Sequence, residues 1–184
     1  MAVWIILAVI ILFPVLLYNT MIAKRNQVTN VFASVDALLK KRYDLIPNLV
    51  ASVKQYMSHE AGVLTQITEL RSKAVSGNIS DDEKVDINNK LSRMLGGIMV
   101  AVENYPQLKA SENFLQLQGS LNEVEEQISA ARRAYNAAVT DYNNAVEMFP
   151  TNIVASIGNF QLKKVFEISE EERKNVKVGD LFKQ

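Results

Sequence analysis

The chain has a single histidine, His59, followed directly by Glu60. An imidazole beside a carboxylate is the minimum for a metal or general-base site. A helical zinc peptidase needs a second imidazole one turn further on, in the pattern HExxH, and that position is Val63. A di-iron bundle needs two Glu-x-x-His pairs, and Tyr56 stands where the one available pair would need its glutamate. The chain has no cysteine, which excludes disulfides, thiolate nucleophiles, Cys-ligated zinc and iron–sulfur clusters. A serine hydrolase would show a GxSxG elbow within alternating strands and helices, and neither is present. Gly77, Gly96 and Gly97 form no phosphate-binding loop, and paired glycines inside a helical pattern suggest close helix packing or a kink. The predicted catalytic, cofactor and metal sites are therefore none, and the chain reads as non-enzymatic. Asn78-Ile79-Ser80 matches a glycosylation sequon, a pattern short enough to arise by chance.

What remains is architecture. The 184 residues carry 20 basic and 20 acidic side chains, a balance that argues against nucleic-acid binding. Residues 2–18 (AVWIILAVIILFPVLLY) are uncharged, and no charge appears before Lys24. A helix over that stretch spans about 30 Å, the thickness of a hydrocarbon core. No basic segment precedes the run, and Met21-Ile22-Ala23 makes a poor cleavage site, so a membrane span is expected rather than a signal peptide. Pro14 is tolerable within such a span, and Trp4 and Tyr18 lie near its ends, where interfacial aromatics are favoured. Lys24, Arg25, Lys40, Lys41 and Arg42 all follow the run. The positive-inside rule then puts Met1 outside and residues 24–184 in the cytoplasm. Lys24, Arg25, Lys40 and Lys41 are candidate contacts to lipid headgroups.

The rest of the pattern is helical. Apolar residues at 28, 31, 35, 38, 39, 46, 49, 50 and 53 keep 3–4 spacing, which continues through Met57, Val63, Leu64, Ile67 and Leu70. Pro47 should kink or restart this helix, with Asp44 available as a cap. Ser76-Gly77-Asn78 predicts a turn, and Ser80 to Glu83 a capping box. The next helix carries Leu91, Met94, Leu95, Ile98, Met99 and Val102 and stops at Tyr105-Pro106. Phe114, Leu117, Leu121, Val124, Ile128, Ala131, Tyr135, Ala138, Tyr142, Ala145 and Phe149 then hold a strict heptad, the signature of left-handed coiled-coil-like packing. Ala131, Ala138 and Ala145 share one row and permit close helix approach, within the chain or between copies. A short amphipathic stretch follows Pro150, and Ser169 to Glu172 is a further capping signature.

The expected fold is all-α: an N-terminal transmembrane helix, then an elongated antiparallel helical bundle of three long helices plus short C-terminal helices. The expected divisions are 1–23 anchor, 24–168 bundle and 169–184 tail.

Two segments, RNQVTNVFASVDALLKKRYDLIPNLVASVKQYMSHE (25–60) and ENYPQLKASENFLQLQGSLNEVEEQISAARRAYNAAVTDYNNAVEMFP (103–150), resemble the two signatures of the LemA family. RYDLIPNL and AYNAAVTDYN are their specific cores, and the resemblance covers almost the whole chain. It implies a bacterial single-pass membrane protein with a long helical-bundle domain, here in the inner membrane, and it brings no catalytic residues. The motif residues Arg42, Tyr43, Asp44, Pro47, Asn48, Tyr105, Pro106, Asn113, Tyr135, Asn136, Tyr142 and Asn143, with Ala138 and Ala145 of the seam, are candidate interaction residues. The expected role is a scaffold that self-associates as a homo-oligomer and organises or remodels the membrane. The alternative is an adaptor or signalling partner of another membrane protein.

Overall fold

A computed structural model describes residues 1–77 and 79–167. Asn78, and with it the sequon, lies outside the described residues, as do the Ser169 to Glu172 signature and the expected 169–184 tail. All regular structure among the described residues is helical. Helix α1 spans Ala2–Lys54, α2 Ala61–Val75, α3 Asp81–Val102, α4 Pro106–Lys109, α5 Glu112–Glu147 and α6 Thr151–Ile157.

Helix α1 is 53 residues long, about 80 Å at 1.5 Å per residue. Its first part, from Val3 to Leu16, exposes Trp4, Ile10, Leu12, Phe13 and the apolar residues between them. No described residue covers this stretch, which is long and apolar enough to cross a membrane. The core begins at Met21, which is fully buried, and the stripe then runs through Val28, Phe32, Val35, Leu39, Ile46, Leu49 and Val53. One rigid helix thus carries both the apolar stretch and the first wall of the core, with no break at the expected 23/24 boundary.

Two expectations about this helix change. It neither ends nor restarts at Pro47, and Asp44 is an exposed helical residue rather than a cap. It ends instead at Lys54, although its apolar spacing continues. Met57 is fully buried, and its N–H reaches the carbonyl of Val53 at 2.9 Å. A single 3-10 turn, Ser58–Glu60, then folds the chain back into α2. The long first helix of the bundle is therefore two helices.

Pairs of contacting residues give the directions. Phe32 meets Tyr135, ring centroids 5.4 Å apart, and Arg42 meets Glu125, so α5 runs antiparallel to α1. Asp36 meets Lys84 at 2.9 Å and Arg42 meets Ser92, so α3 runs parallel to α1. Helix α3 starts on the expected capping box: the Ser80 hydroxyl accepts from the Glu83 N–H, and the Glu83 carboxylate accepts from the Ser80 N–H. Helix α4 has Pro106 in its first turn, where the missing N–H costs nothing. The α5 heptad packs inside the chain from Phe114 to Ala145. Phe149 leaves it: α5 has ended at Glu147, and this ring is 78% exposed. A cis Phe149–Pro150 peptide leads into α6. Gly96 and Gly97 lie inside α3 with no described residue packed close beside them, so close packing among the described residues does not account for them.

Candidate interaction surfaces and their supports

Arg42 sits on the core stripe of α1 and is 1% exposed. A charge in that position must be matched by partners, and two other helices, α3 and α5, supply them. Its Nη1 donates to Glu125 Oε2 on α5 and to Ser92 Oγ on α3, each at 2.8 Å, and its Nη2 donates to Asn88 Oδ1. A second buried guanidinium, Arg132 on α5, donates to the same Ser92 oxygen at 2.8 Å and lies 3.5 Å from Glu125 Oε1. One carboxylate and one hydroxyl thus sit between two arginines. This node fixes the register of α1, α3 and α5, because a slip of one turn would leave buried charges apart.

Pro47 has no N–H to donate to the carbonyl of Tyr43 one turn back. That carbonyl accepts instead from Arg71 Nε of α2, at 3.2 Å. The proline therefore creates an acceptor in mid-helix, and α2 docks onto it. The lost bond is thereby made good, and the helix passes Pro47 without restarting.

Residues 160–167 form a strap without helical structure, held by α5. The Asn143 amide pairs with the backbone of Lys163 in both directions, N–H to side-chain oxygen and side-chain nitrogen to carbonyl, each at 2.9 Å. Asn136 pairs in the same way with Phe166. One heptad of helix rises about 10.5 Å, and three residues of extended chain cover about 10 Å, so the two repeats match. Two residues before Lys163, the Gln161 carbonyl accepts from the Tyr142 hydroxyl at 2.9 Å. Phe166 fills the space beside Tyr135 and Arg132, while Lys164 and Glu167 pair with Asp86 and Arg93 of α3. The Asn136, Tyr142 and Asn143 of the AYNAAVTDYN motif thus form a rail for the backbone of the strap, while its Tyr135 packs against the Phe166 ring.

The predicted interaction residues divide by burial. Arg42, Tyr43, Ala138, Tyr142 and Ala145 lie in the interior of the chain. Asp44, Pro47, Asn48, Pro106 and Asn113 are exposed, and Tyr105 is half-buried. Asn48 and Asn113 meet across a shallow groove between α1 and α5, with Ser52, Gln116 and Ser120 beside them. This is an open amide- and hydroxyl-lined surface at the end of the bundle away from the apolar stretch. Of the predicted headgroup residues, Arg25 stacks over Phe160 at 5.5 Å and Lys24 is half-buried. Lys40 and Lys41 are exposed, but the unbroken helix sets them about 24 Å further along its axis. One headgroup layer does not reach both pairs when α1 stands upright. His59 is exposed in the turn after α1. Among the described residues, no group of three or more His, Asp or Glu is placed to hold a metal ion.

Glu125, Ser92, Asn88, Arg132 and Arg71 were not singled out by motif or spacing. Two arginines did carry a signal. Arg42 follows Leu39 and precedes Ile46 on one helical stripe, and Arg132 stands between Ile128 and Tyr135 on another. A cation at such a position calls for a buried partner.

Residues 31–179 match the model of the LemA family. The chain is 28% identical to Protein LemA of Metamycoplasma hominis over 163 residues, 89% of this chain and 74% of that protein. It is 22% identical to Magnetosome protein MamQ 2 of Paramagnetospirillum magneticum over 175 residues, 82% of this chain. It is 20% identical to Magnetosome protein MamQ of Magnetospirillum gryphiswaldense over 174 residues. The chain spans 64% of the length of each of these magnetosome proteins. A match over most of the chain, with both motifs working as supports of one helical fold, makes this protein a member of the LemA family.

Proposed function

We infer that this protein is a non-enzymatic scaffold, anchored in the bacterial inner membrane by the first part of α1, that self-associates laterally to organise or remodel the membrane. The observation that carries the reading is the continuity of α1. An anchor joined to its domain by a flexible linker leaves orientation free. Here one helix is both anchor and core wall, so an elongated antiparallel bundle stands at a fixed angle to the bilayer. Neighbours held at the same angle lose little further freedom on docking side by side, which favours lateral contact. The likeness to magnetosome proteins fits a membrane-associated role. The apolar stretch is the lipid contact, with Lys24 and Arg25 at the headgroup layer and the bundle in the cytoplasm. The Ala138 and Ala145 row is occupied within the protomer. Contacts between copies then use the outer faces.

A second reading, an adaptor for another membrane protein, draws on the open groove at Asn48 and Asn113. Such a groove offers hydrogen bonds to a partner helix or peptide. The mass of the full-length protein, extracted gently from its own membrane, separates the two. One large discrete assembly of this chain supports the scaffold. A mass near one chain plus detergent overturns it, and a complex with a foreign chain favours the adaptor.

A further inference from the structure

Past Tyr18, large apolar side chains are exposed unevenly. Val75, Val100 and Leu115 stand singly, whereas Met148, Phe149, Ile153, Ile157, Leu162 and Val165 all fall between residues 148 and 165. Ile157 is 83% exposed and Phe149 78%, well beyond the incidental exposure of a surface leucine. These residues belong to α6 and its flanks, which pack on α1 and α5 through the buried Ala155.

Their height on the molecule is given by the antiparallel register. Glu147 stands as many residues beyond Tyr135 as Thr20 stands before Phe32, the residue Tyr135 touches. The end of α5 is therefore level with Thr20, and α6 begins at the level where the apolar stretch of α1 ends. Phe160, whose N–H bonds the carbonyl of Ala155, closes the same level: its ring meets Tyr18 edge-on at 5.9 Å and lies beneath Arg25. The exposed apolar residues of α6 and its flanks thus lie level with the end of the uncovered stretch of α1. Residues 148–166 also contain no Asp or Glu and two Lys, in a chain with 20 acidic residues. An apolar patch without acids beside Lys24 and Arg25 suits an anionic headgroup layer.

We propose that α6 with its flanks is a second membrane contact: Met148, Phe149, Ile153 and Ile157 insert into the interfacial layer beside the α1 span. The bundle is then held at two points, which fixes rotation about α1 as well as tilt. This rests on reading the start of α1 as a span, and the test separates the two claims. Full-length protein is reconstituted in phosphatidylcholine–phosphatidylglycerol vesicles with lipids brominated at chosen depths along the chain. The native Trp4 reports the span. In a Trp4→Phe background, Ile157→Trp reports α6 and Leu115→Trp reports an exposed site at the far end of the bundle. Both new positions are solvent-facing, so the fold tolerates them. The expected result is that the tryptophan introduced at 157 loses most of its emission to bromines near the glycerol end, while that at 115 loses none. Emission from 157 as unquenched as that from 115, with Trp4 quenched, overturns the α6 contact and leaves the span. A blue-shifted but unquenched signal at 157 also overturns it and assigns the face to a second copy. An unquenched Trp4 overturns both.

Discussion

At the scale of single residues, the protein places charge where helical spacing calls for hydrocarbon. Arg42 and Arg132 are buried, while Glu125 between them keeps 39% of its side chain exposed. Removing the anion and removing one cation should therefore differ. Glu125→Gln leaves two buried guanidiniums facing each other without that carboxylate and should cost about 3–5 kcal/mol. Arg42→Met removes a buried charge, leaves Glu125 near Arg132, and orphans chiefly the Asn88 oxygen, a cost of about 1–3 kcal/mol. Urea melts in detergent would measure both, and a larger loss for Arg42→Met would overturn this ordering. Tyr135 differs in kind. Its hydroxyl is buried without a hydrogen-bond partner among the described residues. Burial, then the carboxylates of Asp82 and Asp81, push its phenol up from 10.0 to about 12. The folded state holds this proton more tightly than the unfolded one. Its contribution is thus full below pH 10 and is lost as the pH rises from 10 through about 12. Tyr135→Phe should stay within about 1 kcal/mol of the parent at neutral pH. It should also lose less stability in that alkaline window, as thermal melts across the range would record.

At the scale of elements, the motifs hold segments together through backbone. If Arg71 docks on the carbonyl that Pro47 leaves free, the two positions must be coupled. Arg71→Ala alone should cost about 1–2 kcal/mol. In a Pro47→Ala background the restored N–H satisfies the carbonyl, and most of that cost should vanish, a coupling near 1 kcal/mol in a double-mutant cycle. Additive effects would mean that the arginine acts through something else. The asparagine rail acts locally. Asn143→Ala should cost about 1–3 kcal/mol and speed hydrogen exchange at the Lys163 amide far more than in the α1 core. Asn143→Asp keeps the acceptor for that N–H but loses the donor to the carbonyl, so it should fall between the two. Exchange raised equally everywhere would show the strap to be integral to the core. Spacing alone revealed the heptad and the α3 capping box, because both are local. The turn at Met57 was not legible: no Gly or Pro marks residues 55–60, and burial of one side chain makes the break.

At the scale of the whole molecule, the governing object is the unbroken α1. It converts a topology rule into a rigid geometry, which can be checked directly because the chain has no cysteine. Lys73→Cys creates a single exposed thiol on α2. A membrane-impermeant maleimide should label it only after cells are permeabilised. Labelling of intact cells would invert the orientation expected from Lys24 and Arg25.

The sequence by itself determined the helical class, the long apolar stretch, the core faces of the long helices and the family. Each follows from patterns within a few turns, where spacing maps directly onto one face of a helix. Only the tertiary structure decided what the unusual residues do. Arg42 needed Glu125, eighty-three positions away, before its charge made sense, and Pro47 needed Arg71 before its lost hydrogen bond was made good. Asn48 and Asn113 became one groove, and α6 rose to the level of Tyr18, only because α5 runs back along α1. Long-range pairing leaves no local trace: burial creates the demand for a partner, and packing alone selects which partner meets it.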